Sequence, residues 1–344
     1  MSSSNLHDKY HILANREDYS DLLSLLLANR GVDASECEAF CNPDWDQHYD
    51  PFLMHNMQSV VERVWQAVEQ DEQVVIFSDY DADGVPGAVV LSDFFSKIGF
   101  TNFTVHIPNR NTDGFGLNHT AVQQFIADDT DLLITIDCGI ADLSEIAALQ
   151  EGGVEVTITD HHLPTAEGLP DCLVLDPKQS DCQYPFADLC GAGVIFKLVQ
   201  AMLTNKEKIG GLDTPIPEGW EKWLLDMVGI ATICDMVPLV GENRIFAHYG
   251  LTVLRKSPRP GLHKMLALAR ANQPTLTAQD VAFTLGPRIN AASRLGEPMV
   301  AFEALRATNG DDALRAESIA AAEELERVNR ARKTRVAAAA KAAY

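Results

Sequence analysis

The hydrophobic pattern changes its period twice along the chain, near residue 70 and again near residue 186. In the first stretch, "DYSDLLSLLLANRG" and "MQSVVERVWQAVEQ" repeat apolar residues at helical spacing, and Gly31 stands where the first helix should close. "ASECEAFC" reads as one further helix face, and "CNPDWDQHYDPFL" as an irregular connector. The pattern then shifts to short, β-branched, continuously apolar runs: "QVVIFS", "DLLITID" and "VEVTITD", with one more strand expected ahead of "NRNTDGFG". Between them "GAVVLSDFFSKIG" is an amphipathic helix stopped by Gly99. Continuous apolar strands alternating with helices predict an α/β fold, a parallel-stranded sheet flanked by helices on both faces. From residue 186 to 310 the chain reads as mainly helical, with "WEKWLLDMVGIATICDMVPLVGENR" a buried helix leading to Asp235. The expected division is a helical entry segment (1–70), an α/β body (71–310) and a long connecting helix (311–344).

Each of the three strands ends on an acid. "VVIFSDYDADGVPG" delivers Asp79, Asp81 and Asp83 within five residues, and the next two strands deliver Asp137 and Asp160. Carboxylates that close repel one another unless a positive charge sits between them. Ligands of parallel sheets bind outside the carboxyl ends of the strands, where these acids converge. "TDHH" adds His161 and His162, and Asp235 lies in the apolar run "GIATICDMVPL", where an unpaired charge would be costly to bury. Taken singly, each Asp reads as a cap or turn residue, and the two histidines as a surface pair. Their joint arrival at three strand ends predicts a metal centre of Asp81, Asp83, Asp137, His161 and Asp235, with Asp79 as an outer or weak ligand. Carboxylates with an imidazole suit Mn²⁺, and Mg²⁺ less tightly. Two cations sharing one carboxylate form the clamp used for displacement at phosphorus.

A second group is basic. "NRNTDGFG" offers Arg110 beside a tight turn, and "TLGPRINAASRLG" offers Arg288, Asn290 and Arg294. Guanidinium forks match phosphate oxygens two at a time. The competing reading, that these arginines pair with surplus acids and fasten the fold, weighs equally for Arg294 and less for Arg288.

The net charge of -22 over 344 residues argues against a nucleic-acid partner only on average. Residues 1–243 carry a net -29 and residues 244–344 a net +7, so an acidic body can hold metal while a basic flank holds phosphate. A solvated acidic surface and an exposed basic helix account for the same division. Seven scattered cysteines without a C-x-x-C pair do not suggest a thiolate zinc site or a disulfide framework. No apolar run is long enough to cross a bilayer and the start "MSSSNLHDKYH" has no signal-peptide core, so the expected location is cytoplasmic. "GAGVIF" lacks the third glycine of a dinucleotide fingerprint and reads as helix packing, and no P-loop, H-E-x-x-H or G-x-S-x-G motif occurs.

The ordered blocks "DYDADG", "PNRNTDGFGLN", "TIDCGI", "TDHH", "PFADLCGAGVIFKL", "GIATICDMVPLVGENR" and "LGPRINAASRLG" resemble the DHH phosphoesterases, and within them the RecJ-type single-strand DNA exonucleases. The similarity runs from about residue 20 to 335. It implies that Asp81, Asp83, His161 and Asp235 are metal ligands, that Asp137 bridges two divalent cations, and that His162 lies against the scissile phosphate. Asp160 would orient a histidine, while Arg110, Arg288, Asn290 and Arg294 would hold substrate phosphates. The catalytic set is then His162, Asp137 and Asp160. The implied activity is Mn²⁺- or Mg²⁺-dependent 5′ to 3′ hydrolysis of single-stranded DNA in repair and recombination, with single-strand-binding and recombination proteins as further partners. Ser78 stands where the family commonly has glycine, and Pro86 and Gly87 where threonine or serine is frequent. RecJ-type enzymes continue past a long helix into DHHA1 and OB-like domains, whereas this sequence stops inside what resembles that helix. Two other readings stay open: a phosphodiesterase of short oligonucleotides or cyclic dinucleotides, and a non-catalytic replication or repair scaffold.

Overall fold

In the computed structural model, residues 22–212 and 215–343 are described. Residues 18–21 of the first expected helix lie outside them. The chain divides into two units, Met1–His48 and Tyr49–Tyr344. The first holds the helices Leu22–Asn29 and Cys37–Cys41, the latter as "ASECEAFC" predicts. The first also holds a 3-10 turn at Trp45–Gln47; the second contains the remaining described elements, so the helix Met57–Gln70, expected in the entry segment, belongs to the α/β body. The long final helix belongs to it too.

Five strands form one parallel sheet: β1 (Val74–Ser78), β2 (Phe103–His106), β3 (Leu132–Ile136), β4 (Glu155–Thr159) and β5 (Leu173–Leu175). Their spatial order is β2-β1-β3-β4-β5. Alternate residues of each strand face opposite layers, and both layers are covered, which is why the runs are apolar throughout. On one face Val75, Phe77, Leu133, Val156, Ile158 and Val174 pack with Phe125 and Leu149 of the helices α3 (His119–Ala127) and α4 (Leu143–Glu151). The other face is covered by α1 (Met57–Gln70), α2 (Gly84–Ile98) and α5 (Gly191–Leu203).

A helical layer stacks on α2 and α5. It comprises α6 (Leu225–Cys234), α7 (Gly241–Leu254), α8 (Pro260–Ala269), α9 (Gly286–Leu295), α10 (Met299–Leu305) and α11 (Asp312–Ala343), with α8, α9 and α10 packed along α11. The buried helix expected to lead to Asp235 is two elements, a 3-10 turn at Trp220–Leu224 and then α6, which ends at Cys234 just before it. Asp235 caps that end with its side chain about three-quarters buried (26% exposed). Pro86 falls in the first turn of α2, where its missing N–H would have had no helical partner anyway. Among the described residues no helix is long and apolar enough to cross a membrane.

Candidate metal centre

The chain runs from β1 outward to β2 and returns to β3 on the other side of β1. Such a reversal opens a crevice at the carboxyl ends of β1 and β3. Register brings the strand-end acids level there. Ser78 pairs with Ile136, and Ile136 with Thr159. The amides of Asp79, Asp137 and Asp160 then donate to the last carbonyls of the neighbouring strands, Ile136, Thr159 and Leu175. Asp137 leaves its strand in the left-handed conformation (φ 62°), which turns its carboxylate across the crevice.

The donors collect in three overlapping groups, one of which joins Asp137 to His161 and His162. Ligand atoms of Asp79, Asp81 and Asp137 lie within 4.8 Å of one another, as do those of Asp83, His161 and Asp235. The groups meet where His161 Nε2 stands 3.0 Å from Asp137 Oδ1, with Asp83 Oδ2 at 3.6 Å and Asp235 Oδ2 at 3.8 Å. Asp137 Oδ1 and Asp79 Oδ1 are buried without a hydrogen-bond partner. Buried carboxylate oxygens left unpaired are costly in a folded protein, and a cation would satisfy them. Five carboxylates with one imidazole fit divalent Mn²⁺ or Mg²⁺ by donor chemistry. Asp79, expected as an outer or weak ligand, lies within reach of Asp81 and Asp137.

Backbone geometry holds these side chains. Asp81 Oδ1 accepts the amides of Asp83 and Gly84 at 2.7 and 3.2 Å. Asp83 accepts the amides of Gly191 and Ala192, at the start of α5, at 2.7 and 2.8 Å. A helix N-terminus favours an anion, so "GAGVIF" does more than pack. Its first glycine is required by space: a Cβ on Gly191 would stand 2.6 Å from the Cβ of Asp137. Gly84 is similarly confined, since a Cβ there would come within 2.5 Å of the Asp79 carbonyl. Asn243, fully buried in α7, donates to the carbonyls of Asp188 and Pro238 and so ties the segment before α5 to the one after Asp235. Neither α5's amides nor Asn243 was singled out from sequence, although the glycine run at a helix start was a usable signal.

His162 differs from His161. Its Nδ1 lies 2.8 Å from Asp160 Oδ1, and half of its side chain is exposed, leaving Nε2 free. Asp160 is fully buried and also accepts the amides of Ile140, His161 and His162. Burial works against its charge, yet the His162 bond and those amides hold its carboxyl below the usual range. The same bond raises the imidazole of His162, while burial lowers that of His161 to about 4, leaving a neutral ring suited to bind metal. Phe115, more than half exposed, turns its ring edge to His162 and to Tyr80 at 6.3 and 6.4 Å.

The basic residues separate into two kinds. Arg110 is exposed and lies over the Tyr80 ring at 5.6 Å, and Arg294 is exposed on α9. Asn290 Oδ1 accepts the amide of Ala82 at 2.9 Å and so steadies the loop between Asp81 and Asp83. Arg288 departs from the phosphate-binding expectation. It is buried, and its Nε and Nη2 both lie 2.8 Å from Glu326 of α11. The surplus acid took the fork, as the competing reading held.

Burial, then repulsion by Asp81, raises Asp79 to about 7, and the same two causes raise Asp235 to about 6. Burial also pushes Asp83 and Asp137 upward. Groups whose folded pKa exceeds the unfolded value stabilise the fold when protonated, and that contribution disappears as pH rises through the folded value. Chelated protein should therefore melt several degrees higher at pH 5.5 than at pH 8, and Mn²⁺ should reverse the order. Scanning calorimetry with EDTA and with Mn²⁺ checks both; a chelated melting temperature that falls on acidification contradicts the assignment.

A parallel sheet whose strand ends present Asp-rich and Asp-His-His segments to one crevice defines a DHH phosphoesterase domain, and residues 73–232 match the DHH family, N-terminal domain. The chain belongs to the DHH family, in its RecJ-type branch. It is 36% identical over 331 residues to the single-stranded-DNA-specific exonuclease RecJ of Bacillus subtilis, covering 96% of this chain and 39% of that protein. Against the RecJ of Escherichia coli it is 33% identical over 320 residues, covering 91% and 53%. A solved structure of exonuclease RecJ bound to manganese aligns with a TM-score of 0.69 at 33% identity, over 82% of this chain and 67% of that one. The RecJ of Thermus thermophilus in complex with Mn²⁺ gives 0.71 at 30% identity, over 91% and 42%. The chain spans about half the length, or less, of the curated relatives it matches.

Proposed function

We propose that this domain is the hydrolytic part of a metal-dependent exonuclease that removes nucleotides from single-stranded DNA in the 5′ to 3′ direction, in repair and recombination. The observation that carries it is the set of overlapping donor groups joined at the 3.0 Å approach of His161 to Asp137. Asp79, Asp81 and Asp137 would hold one divalent cation, and Asp83, His161, Asp235 and Asp137 the other, Mn²⁺ or Mg²⁺. Bound there, two cations supply an activated water and neutralise the entering and leaving oxygens of an in-line displacement. The protein's own side chains position the strand. His162, whose pKa is raised by its bond to Asp160, would when protonated donate Nε2–H to the phosphate and stabilise charge that grows in the transition state. Arg110 and Arg294 bind flanking phosphates, Asn290 fixes the acidic loop, and Arg288 fastens α9 to α11. Phe115 offers a ring face on which a base can stack. Single-strand-binding and recombination proteins as partners belong to the same proposal.

The test uses labelled single-stranded and duplex DNA with Mn²⁺, Mg²⁺ or EDTA. Cleavage of the single strand is expected with either cation and none under chelation. Equal cleavage in EDTA rejects the metal centre. Turnover confined to dinucleotides moves the substrate class to short oligonucleotides, and metal binding without turnover on any phosphodiester restores the scaffold reading.

A further inference from the structure

Beside the metal centre lies a cavity of about 230 Å³ whose walls include Cys234, Asn290, Arg294 and Arg332. Cys234 precedes Asp235, and Asn290 holds the amide between Asp81 and Asp83, so the cavity shares two walls with the metal centre. Asn290 and Arg294 stand four residues apart on one face of α9. Arg332 arrives from α11, 38 residues further on than Arg294. Its Nη2 donates to Asn329 at 3.0 Å, while its Nε is buried with no hydrogen-bond partner.

Several arginines of this region are already matched to carboxylates: Arg288, Arg306, Arg327 and Arg330. Neither Arg294 nor Arg332 makes an ion pair among the described residues. Two guanidinium groups lining one small cavity repel each other and leave donors unsatisfied, and a tetrahedral oxyanion relieves both costs.

We propose that this cavity is a phosphate subsite for the nucleotide next to the one being hydrolysed, with Arg332 as a binding residue contributed by the long helix. The inference rests on the nuclease reading and deepens it. A strand whose scissile phosphate lies at the metal centre must place a neighbouring phosphate within reach of one of the adjoining walls, and this wall carries two arginines, one with a buried Nε that lacks a hydrogen-bond partner.

The experiment measures fluorescence anisotropy of a labelled single-stranded oligothymidylate with the full chain in EDTA, from 50 to 300 mM salt, for wild type, Arg332→Gln, Arg332→Lys and Arg335→Gln. A single-strand phosphate contact contributes a slope of roughly 0.7 in log K against log salt. Arg332→Gln should weaken binding about tenfold and flatten the slope by about that amount. Arg332→Lys should keep the slope, and Arg335→Gln, the same charge change at an exposed position on the same helix, should have less than half the effect. Melting temperatures of the variants verify folding, and if the glutamine variant is unstable the methylphosphonate comparison on wild type decides the matter, an unchanged affinity overturning the subsite. A methylphosphonate replacing the second phosphate should weaken wild type and leave Arg332→Gln unchanged. Equal slopes for wild type and Arg332→Gln, equal losses for the variants at 332 and 335, or no binding by wild type overturn the subsite. Failure of the nuclease reading is seen separately, as wild-type binding without Mn²⁺-dependent cleavage.

Discussion

Replacing Asp137 by Asn should lower the rate of phosphodiester cleavage by on the order of a thousandfold, about 4 kcal/mol of transition-state stabilisation, while making the metal-free protein melt at a higher temperature. The two effects have one cause. Asp137 is 3% exposed, belongs to two of the donor groups and touches the third through His161, and its Oδ1 has no hydrogen-bond partner. Without a cation, its charge is opposed by burial and by Asp83, Asp81 and Asp79 around it. Asn removes the charge, keeps the size and tolerates the left-handed backbone at this position, which alanine would strain. With the shared carboxylate gone, calorimetric titration should find fewer than two Mn²⁺ per chain. Activity and melting curves on the same preparation separate this from misfolding. An inactive variant whose chelated form melts lower than wild type would mean that Asp137 is a structural acid.

How much of this centre could be read along the chain depended on the range of the interaction. The strand-end acids were legible because parallel strands run apolar until they leave the sheet, so each first Asp marks an exit: Asp79, Asp137 and Asp160 fall at one level for that reason. The cluster of Asp79, Asp81 and Asp83 was legible from repulsion alone. β5 was not, because three residues, Leu173–Leu175, carry too little periodicity to stand out. Asp235 came to the right place because α6 leads to it and burial presses on its charge, although Met236 just beyond is almost wholly exposed. Arg288 shows the limit from the other side. Its partner Glu326 is 38 residues away on another helix, and nothing local distinguishes a guanidinium awaiting phosphate from one already matched. The anion-binding amides of Gly191 and Ala192 were similarly hidden, because backbone donors have no letter of their own.

Arg259 is a buried charge that joins α2 to α6 across the helical layer, and Arg259→Met should expose that dependence with a loss of about 3–5 kcal/mol and roughly 10 °C in melting temperature. Arg259 is 6% exposed. Its Nε lies 2.7 Å from Asp226 Oδ2, and its Nη1 lies 2.7 Å from Asp93 Oδ2 and 2.9 Å from the Leu305 carbonyl. Burial opposes the guanidinium's charge, but Asp226 and Asp93 overcome it and raise its pKa. Asp93 belongs to α2, whose N-terminal end carries Asp83, and Asp226 to α6, whose C-terminal end carries Asp235. The network thus fixes the remote ends of two helices whose near ends face the same cation site. Methionine fills similar space but strands two buried acids, and an unpaired buried charge costs more than the pair ever contributed. Adding Asp93→Asn and Asp226→Asn to the methionine variant should recover most of the stability, because the stranded charges are then gone. Mn²⁺ affinity is expected to fall several-fold in Arg259→Met and to return only in part in the triple variant, since stability depends on satisfying the charges and metal affinity on holding α2 against α6. A melting temperature within 1 °C of wild type for the single variant would show that the network carries no load; full recovery of Mn²⁺ affinity in the triple variant would show that it does not position the ligands.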